Sequence, residues 1–248
     1  METSHNAYIE SYLTGVYDID LYLIKFLTVR SVKNLSIVSK SIYKILTVSP
    51  IFKQLVELKD FKSYERLRYS VEHGYFKIIK IFNRSQLISA DDIIELISEA
   101  SKFGQLNVLI CLLKLVDDIK LNNAIMYASS NGHIAVVRYL ISIGADLTVG
   151  NNRAVRYASR NGHLDVVKYL VSVGANPTDD NNYAVQYASQ NGHLDVVRYL
   201  VSVGADCTAR DNCAILYASR NGHLDVVQYL VSVGADAISI YIPNILII

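Results

Sequence analysis

The sequence has almost no net charge, because 24 lysine and arginine residues are balanced by 23 aspartate and glutamate residues among 248. A strongly basic surface is the usual electrostatic signature of proteins that bind nucleic acid or anionic membranes. Because the sequence lacks such an excess, we expect neither a nucleic-acid partner nor a membrane partner.

Cysteine is also scarce. The three cysteines, Cys111, Cys207 and Cys213, are an odd number and have neither a Cys-x-x-Cys spacing nor another metal-ligand spacing. Residues 1–20 have neither the basic start nor the apolar run expected of a signal peptide, and the sequence has no run of about 18 apolar residues typical of a membrane-spanning helix. These features predict an intracellular protein without disulfide bonds.

What the sequence does contain is a repeat with a period of 30 residues. Its clearest copies begin at Asn131, Asn161, Asn191 and Asn221, and the third of them reads NGHLDVVRYLVSVGAD. The dipeptide Ala-Ser precedes each copy, and two degenerate copies lie around Gly74 and Gly104. The chain is therefore predicted to contain six repeats, of which the first two are degenerate.

Each repeat is predicted to form two short helices joined by a turn. In the copy at Asn191, the first helix is expected over about residues 183–189, and Asn191-Gly192 supplies the turn. The second helix is predicted to bury one apolar stripe and to end at a glycine; these residues are Leu194, Val197, Leu200, Val201 and Gly204. Because such short helices are marginal alone, the repeats must stack. The predicted fold class is an all-α solenoid.

The pattern G-H-L-D-V-V-x-Y-L-V-S-x-G-A-D resembles the ankyrin repeat over residues 64–238, about seven-tenths of the chain. The tyrosine-rich form of 30 residues is similar to ankyrin proteins of giant amoebal DNA viruses, which implies a location in the host cytoplasm or nucleus. Two features depart from the family pattern. The usual Thr-Pro-Leu-His is replaced by residues 183–186, and the link between repeats is about three residues shorter than in the usual form. The projecting hairpin between repeats should therefore be stunted.

Histidine occupies one position in each of the last four repeats, at His133, His163, His193 and His223. Stacked helices lie about 8–10 Å apart, whereas a zinc ion needs each ring nitrogen at about 2 Å. Successive histidines therefore cannot share an ion, and each is predicted to bond backbone groups in the turn between helices.

Aspartate recurs in the first turn of the second helix, at Asp165, Asp195 and Asp225, where a negative charge suits the helix dipole. The spacing also predicts ion pairs of Asp165 with Lys168 and of Asp195 with Arg198. A catalytic group copied at a fixed period has no mechanistic logic, and no set of nucleophile, base and orienting residue is evident elsewhere. We expect no enzyme activity, no cofactor and no metal.

Tyrosine forms two columns, one on each helix of the repeat, and core packing with an exposed hydroxyl is the favoured role. Their members are Tyr127, Tyr157, Tyr187 and Tyr217, and Tyr139, Tyr169, Tyr199 and Tyr229.

Function is expected where the repeats differ from one another, on the first helices and the links that precede them. A constant scaffold with variable side chains is how a solenoid presents a binding surface. The candidate partner-binding residues are Met126, Ser130, Arg153, Arg156, Arg160, Asp179, Tyr183, Gln186, Gln190, Arg210, Leu216 and Arg220. Their mixture of arginine, tyrosine, glutamine and aspartate favours a protein partner over a phosphate backbone. Drift at unconstrained exposed positions is an equally good explanation for any single residue.

Residues 1–63 do not repeat, and residues 31–46 resemble the F-box motif. Ser39-Lys40 stands at the Cys-Lys of that motif, Ile42 stands at its tryptophan, and residues 50–52 match its later proline-containing segment. The resemblance implies docking onto a Skp-type adaptor of a cullin–RING ubiquitin ligase through an apolar helical face. The candidate adaptor-binding residues are Leu23, Leu27, Leu35, Val38 and Ile42.

The F-box match is incomplete, because Val16-Tyr17 stands where the motif has Leu-Pro. These helices could instead serve only as the cap that the first repeat needs for solubility. The leading prediction is a monomeric, non-catalytic adaptor that holds a target near a ubiquitin ligase. The alternative is an ankyrin binding module or scaffold without a ubiquitin link. The role of the apolar tail, residues 239–248, is left open.

Overall fold

The computed structural model describes residues 63–75, 89–116 and 121–236, and these residues are helical, with no strand among them. The F-box-like segment, with its candidate residues Leu23, Leu27, Leu35, Val38 and Ile42, and the apolar tail lie outside the described residues. The described residues fall into two compact units. One unit contains residues 63–75, 89–96 and 107–116, and the other contains residues 97–106 and 121–236.

Helices alternate with short turns along the described chain. Their bounds are α1 (Ser63–Glu72), α2 (Ala90–Lys102), α3 (Leu106–Leu113), α4 (Asn122–Ser130), α5 (Ile134–Ser142), α6 (Val149–Arg160), α7 (Leu164–Ser172), α8 (Asp179–Gln190), α9 (Leu194–Ser202), α10 (Ala209–Arg220) and α11 (Leu224–Ser232).

In residues 121–236 each repeat contributes one helix to each of two layers. The first helices α4, α6, α8 and α10 pack against one another in order, and the second helices α5, α7, α9 and α11 do the same. Each first helix also packs against the second helix of its own repeat. This arrangement is the predicted all-α solenoid, and it buries the alanine and valine residues that recur in every repeat.

The buried stripe of the second helix differs in part from the predicted one. In α9 the fully buried residues are Val196, Val197 and Leu200, whereas Leu194 and Val201 are half-buried. The prediction of Leu194 and Val201 as inward-facing was therefore wrong. The physical reason is that α9 packs on both neighbouring second helices as well as on α8, which moves the centre of its buried face onto Val196.

Glycine ends both helices of the repeat, as predicted. Gly192 has φ +75°, and the next N–H, from His193, donates to the carbonyl of Ala188 at 3.0 Å. Gly204 has φ +98°, and the Ala205 N–H donates to the carbonyl of Leu200 at 2.9 Å. Both are Schellman-type ends that need a left-handed residue, a conformation open to glycine at little cost.

The described links between repeats contain turns and no strand, as expected for a stunted hairpin. Asp206 accepts hydrogen bonds from the Thr208 N–H at 2.8 Å and from its hydroxyl at 2.7 Å. Within α8, three consecutive residues from Asp180 to Asn182 adopt left-handed angles, so the right-handed helix starts at Tyr183. This start agrees with the predicted one. Aspartate and asparagine tolerate the left-handed region better than other side chains.

Candidate partner-binding surface

The side chains that vary between repeats lie on the first helices and on the turns before them. Four of the candidate residues are exposed, namely Arg153, Arg160, Arg210 and Arg220. Seven are half-buried, namely Met126, Ser130, Arg156, Asp179, Tyr183, Gln190 and Leu216. This surface, called the first-helix surface below, is formed by α4, α6, α8 and α10.

Gln186 is the exception, because it is 1% exposed. Its amide donates to the carbonyl of Asn181 at 2.7 Å and thereby supports the left-handed turn of its own repeat. Comparison of the repeat sequences could not show that Gln186 is buried, because its equivalents Met126, Arg156 and Leu216 are half-buried. Gln186 is therefore a structural residue in this conformation and offers a partner no contact.

Arginine and tyrosine side chains form a cluster in the middle of the first-helix surface. The guanidinium groups of Arg156 and Arg210 lie 5.9 Å and 4.9 Å from the centre of the Tyr183 ring. The Tyr183 ring stacks on Tyr187 at 5.3 Å, and Arg160 lies 5.8 Å from the Tyr187 ring. Such cation–π contacts hold flexible arginines in place and keep the charges available at the surface.

Two polar contacts complete this cluster. Arg156 forms an ion pair with Asp180 of the next repeat, and its side chain is only 16% exposed. Arg210 donates a hydrogen bond to the Tyr183 hydroxyl, which raises the pKa of Arg210 above its usual range. The guanidinium of Arg210 therefore stays charged at any physiological pH.

A cavity of about 210 Å³ opens on the first-helix surface between α4 and α6. Its apolar wall is formed by Ile125, Met126 and Leu147, and its polar rim is formed by Asn122, Asp146 and Arg153. Met126 and Arg153 were among the candidate residues. Asn122 and Ile125 were missed because their equivalents in the other repeats are the same or similar, and Leu147 was missed although its equivalents differ.

Each recurrent histidine bonds a backbone carbonyl, as predicted, but the carbonyl belongs to the preceding repeat. The Nε2–H of His193 donates to the carbonyl of Arg160 at 3.0 Å, and His163 reaches Ser130 at 3.1 Å. The ring also lies against the turn glycine of that repeat, since a Cβ at Gly162 would come within 2.6 Å of His193 Nδ1. The histidines therefore join consecutive repeats.

Comparison with known proteins agrees with this architecture. A family model described as ankyrin repeats in three copies matches residues 96–181 and 157–240, which together are more than half of the chain. The chain belongs to the ankyrin-repeat family. Ankyrin repeats are protein–protein interaction modules, so this chain carries such a module.

One similar ankyrin-repeat protein comes from Acanthamoeba polyphaga mimivirus. It is 31% identical over 111 residues, which are 44% of this chain and 17% of the relative. The chain thus spans about a sixth of the length of the curated relative that it matches. The similarity supports the resemblance to ankyrin proteins of giant amoebal viruses.

On the second helices of the ankyrin stack, cations pair with tyrosines of the next repeat. Arg138 lies 4.1 Å from the centre of the Tyr169 ring, and Arg198 lies 4.9 Å from that of Tyr229. These tyrosines are half-buried at the surface and are not part of the core. The fully buried core of each repeat is formed by alanine, valine and leucine, and the predicted packing of these tyrosines with an exposed hydroxyl stays a prediction.

The predicted ion pairs along the second helices are not formed in the described part of the chain. Lys168, expected to pair with Asp165, lies 5.8 Å from the centre of the Tyr199 ring. Arg198, expected to pair with Asp195, likewise lies 4.9 Å from the centre of the Tyr229 ring. Asp195 instead accepts a hydrogen bond from the Val196 N–H at 2.8 Å in the first turn of α9. The predicted placement of aspartate at the helix start is confirmed.

Few side chains in the described part of the ankyrin repeats are placed to bind a metal or to react as nucleophiles. Among the described residues, no three histidine, cysteine or acidic side chains come together as a metal site. Burial raises the pKa of the Cys207 thiol, and Asp206 acts in the same direction, so this thiol stays protonated. None of the helices in residues 63–75, 89–116 and 121–236 is long and apolar enough to cross a membrane.

Proposed function

We propose that this chain is a non-catalytic adaptor that binds a protein target through the first-helix surface of its ankyrin repeats. One observation carries the proposal: in repeats that are otherwise nearly identical, the varying side chains gather on this surface, and four of them are exposed arginines. Arginine and tyrosine are enriched among the residues that dominate binding energy at protein interfaces.

The Arg–Tyr cluster supports this proposal through its rigidity. Tyr183 contacts arginines from the repeat before it and from the repeat after it, and Asp180 holds Arg156 in place. Side chains that are ordered before binding lose less conformational entropy when a partner docks. The cluster therefore suits a stable interface better than three freely moving arginines would.

Charge reversal on the two faces tests the target-binding proposal. The double variant Arg160→Glu, Arg220→Glu changes the first-helix surface, and Lys168→Glu, Arg198→Glu makes the same charge change on the second helices. Proteins captured from amoebal extract by the wild-type chain should be retained by the second variant and lost from the first. Retention of the captured proteins by the first variant, with helical circular dichroism unchanged, would place binding elsewhere.

The proposal extends to recruitment of a ubiquitin ligase by the F-box-like segment. Its support is the sequence match at Ser39-Lys40, Ile42 and residues 50–52. Two binding surfaces on one chain would hold a bound target at high effective concentration near the ligase. We place this activity inside the host cell, in the cytoplasm or nucleus, and propose a viral origin for the chain on the basis of its similarity to the mimivirus protein.

Direct binding to a purified Skp-type adaptor tests this second step. The wild-type chain should capture the adaptor, and the double variant Leu35→Asp, Ile42→Asp should not, because a charged residue cannot enter an apolar interface without a large desolvation cost. A folded wild-type chain that fails to capture the adaptor would leave the alternative, a binding module whose N-terminal segment only caps the first repeat.

A further inference from the structure

The cavity between α4 and α6 exists because this interface between repeats lacks the side chains that occupy the equivalent places in the next two. At the next interface, the equivalents of Met126 and Gly150 are Arg156 and Asp180, which form an ion pair. At the interface after that, the equivalents are the buried Gln186 and Arg210, which bonds Tyr183. Met126 and Gly150 therefore leave the first interface without a polar contact between these two positions.

A missing asparagine contact opens the cavity further. Asn152 and Asn182 stand in left-handed turns and accept hydrogen bonds from N–H groups of the following repeat, at 3.0 Å from Asn176 and at 2.9 Å from Asp206. The equivalent residue Asn122 is instead the first residue of α4. Among the described residues it bonds no N–H group in this way, and its amide lines the cavity.

The size and lining of this cavity, called the α4–α6 notch below, suit one side chain of a protein partner. Its volume of about 210 Å³ lies below the roughly 300–1,000 Å³ of pockets for small organic ligands. One wall is aliphatic, from Ile125, Met126 and Leu147. Pockets that take a single buried side chain are where binding energy concentrates at protein interfaces.

The charges around the notch favour an acidic segment. The first helices α4, α6, α8 and α10 carry four exposed arginines and one exposed acid, Asp211. Arg153, at the rim, has no carboxylate partner within the described chain. The rim carboxylate of Asp146 accepts two hydrogen bonds from Thr148 at 2.8 Å, which lower its pKa and keep it charged, so Arg153 is the rim group that a partner's carboxylate can approach. A guanidinium of this kind binds a carboxylate through two parallel hydrogen bonds.

We propose that the α4–α6 notch anchors the partner by receiving one aliphatic side chain of an acidic peptide segment, whose neighbouring carboxylate pairs with Arg153. The inference rests on the proposed target-binding function and specifies the partner's chemistry. The Asn122 amide at the rim is placed to bond the peptide backbone beside that side chain.

A variant that closes the notch can be designed from the next interface, where Arg156 pairs with Asp180. The double substitution Met126→Arg, Gly150→Asp installs the pair found at the next interface. Gly150 has φ +64°, and Asp180 adopts φ 54° at the equivalent position, so the backbone accepts the aspartate. Its Cβ would come within 2.6 Å of Arg153 Nε, so the variant also moves the Arg153 side chain and removes both features of the notch. The matched control is Gln228→Arg, which adds the same side chain as Met126→Arg at an exposed position of α11, where the equivalent residues of earlier repeats are Arg138, Lys168 and Arg198.

The probe is a displayed library of random peptides, selected on the full wild-type chain. The expected peptides carry an aliphatic residue beside aspartate or glutamate. Their affinity should fall at least about tenfold with Met126→Arg, Gly150→Asp and remain unchanged with Gln228→Arg. The variant Arg153→Glu should weaken the same peptides about tenfold, and replacing their acidic residue by lysine should restore binding to that variant.

Two results would overturn the inference. The first is selection of peptides without the aliphatic–acidic pattern, and the second is binding that the closed notch leaves intact while circular dichroism shows both variants folded. Either result would leave the target-binding proposal standing, because that proposal is tested with native proteins and with Arg160 and Arg220. Retention of native targets by the Arg160→Glu, Arg220→Glu variant in that separate experiment would be required to overturn it.

Discussion

At the scale of single residues, a buried serine recurs at the same place in the first helices of four repeats. The hydroxyls of Ser129, Ser159, Ser189 and Ser219 are buried and have no hydrogen-bond partner. The position requires a small side chain because the helices pack closely there, but nothing near it uses the hydroxyl.

We therefore expect Ser189→Ala to stabilise the protein by about 1 kcal/mol, since a buried unsatisfied hydroxyl costs about 1–3 kcal/mol. Thermal or urea unfolding measures the change. The control is Ser101→Ala, because the Ser101 hydroxyl donates to the carbonyl of Ile97 at 2.8 Å and its loss should not stabilise. Equal effects of the two substitutions would show that the hydroxyl of Ser189 is not the cause.

Turn glycines differ in what surrounds them, and this difference can be measured. Gly162 and Gly174 both have positive φ, but a Cβ at Gly162 would meet the His193 ring at 2.6 Å, whereas nothing lies within 4 Å at Gly174. We expect Gly174→Ala to cost about 1–2 kcal/mol for its backbone alone. Gly162→Ala should cost more, because it also displaces the inter-repeat histidine. Similar losses in urea unfolding would argue against a role for the His193 contact.

At the scale of structural elements, the link between repeats contains an aspartate whose ionisation supports the turn. Hydrogen bonds from the Thr208 hydroxyl and N–H lower the pKa of Asp206 below its ordinary value. A lowered pKa in the folded state means that this stabilisation is present above the unfolded value of about 3.9 and is lost as the pH falls below it.

The chain also shows that an uncharged residue can make the same turn. Asn176 stands at the equivalent position, and its side-chain oxygen accepts from the Thr178 N–H at 3.0 Å and from the Thr178 hydroxyl at 2.8 Å. We therefore expect Asp206→Asn to fold normally and to lose less stability than the wild type between about pH 4 and pH 2. Urea midpoints measured across this range test it, and parallel curves for the two proteins would contradict it.

At the scale of the whole repeat stack, helices contact their own partner and the adjacent repeats, as expected for a quasi-one-dimensional fold. Removal of residues 191–220 would join Gln190 to Asn221 and leave every remaining repeat in register. We expect this deletion to fold, with helical content per residue unchanged and with a smaller urea m-value, because less surface is exposed on unfolding.

A half-repeat deletion is the matched control for this prediction. Removal of residues 191–205 would place a first helix where the stack needs a second helix, and the apolar faces would no longer meet. This variant should lose cooperative unfolding. Cooperative unfolding of the half-repeat variant, or failure of the full-repeat variant to fold, would show that the repeat is not the unit of stability.

The sequence by itself determined the period, the helix pairs, the positive-φ glycines and the all-α stacked fold. These features depend on contacts that recur at a fixed spacing, so each copy of the repeat predicts the others. Among the residues that the structure describes, the start of the right-handed helix at Tyr183 and the glycine ends at Gly192 and Gly204 were predictable for this reason.

Only the tertiary structure decided which variable side chains are available to a partner. The burial of Gln186, the pairing of Arg156 with Asp180 and the open notch beside Met126 all depend on residues about 24 positions or more away, or on how closely neighbouring helices pack. The repeat pattern alone predicts the same burial and contacts for equivalent positions in every repeat. The burial of each side chain and its contribution to the free energy of folding depend on its neighbours in the adjacent repeat. Those neighbours differ from one interface to the next.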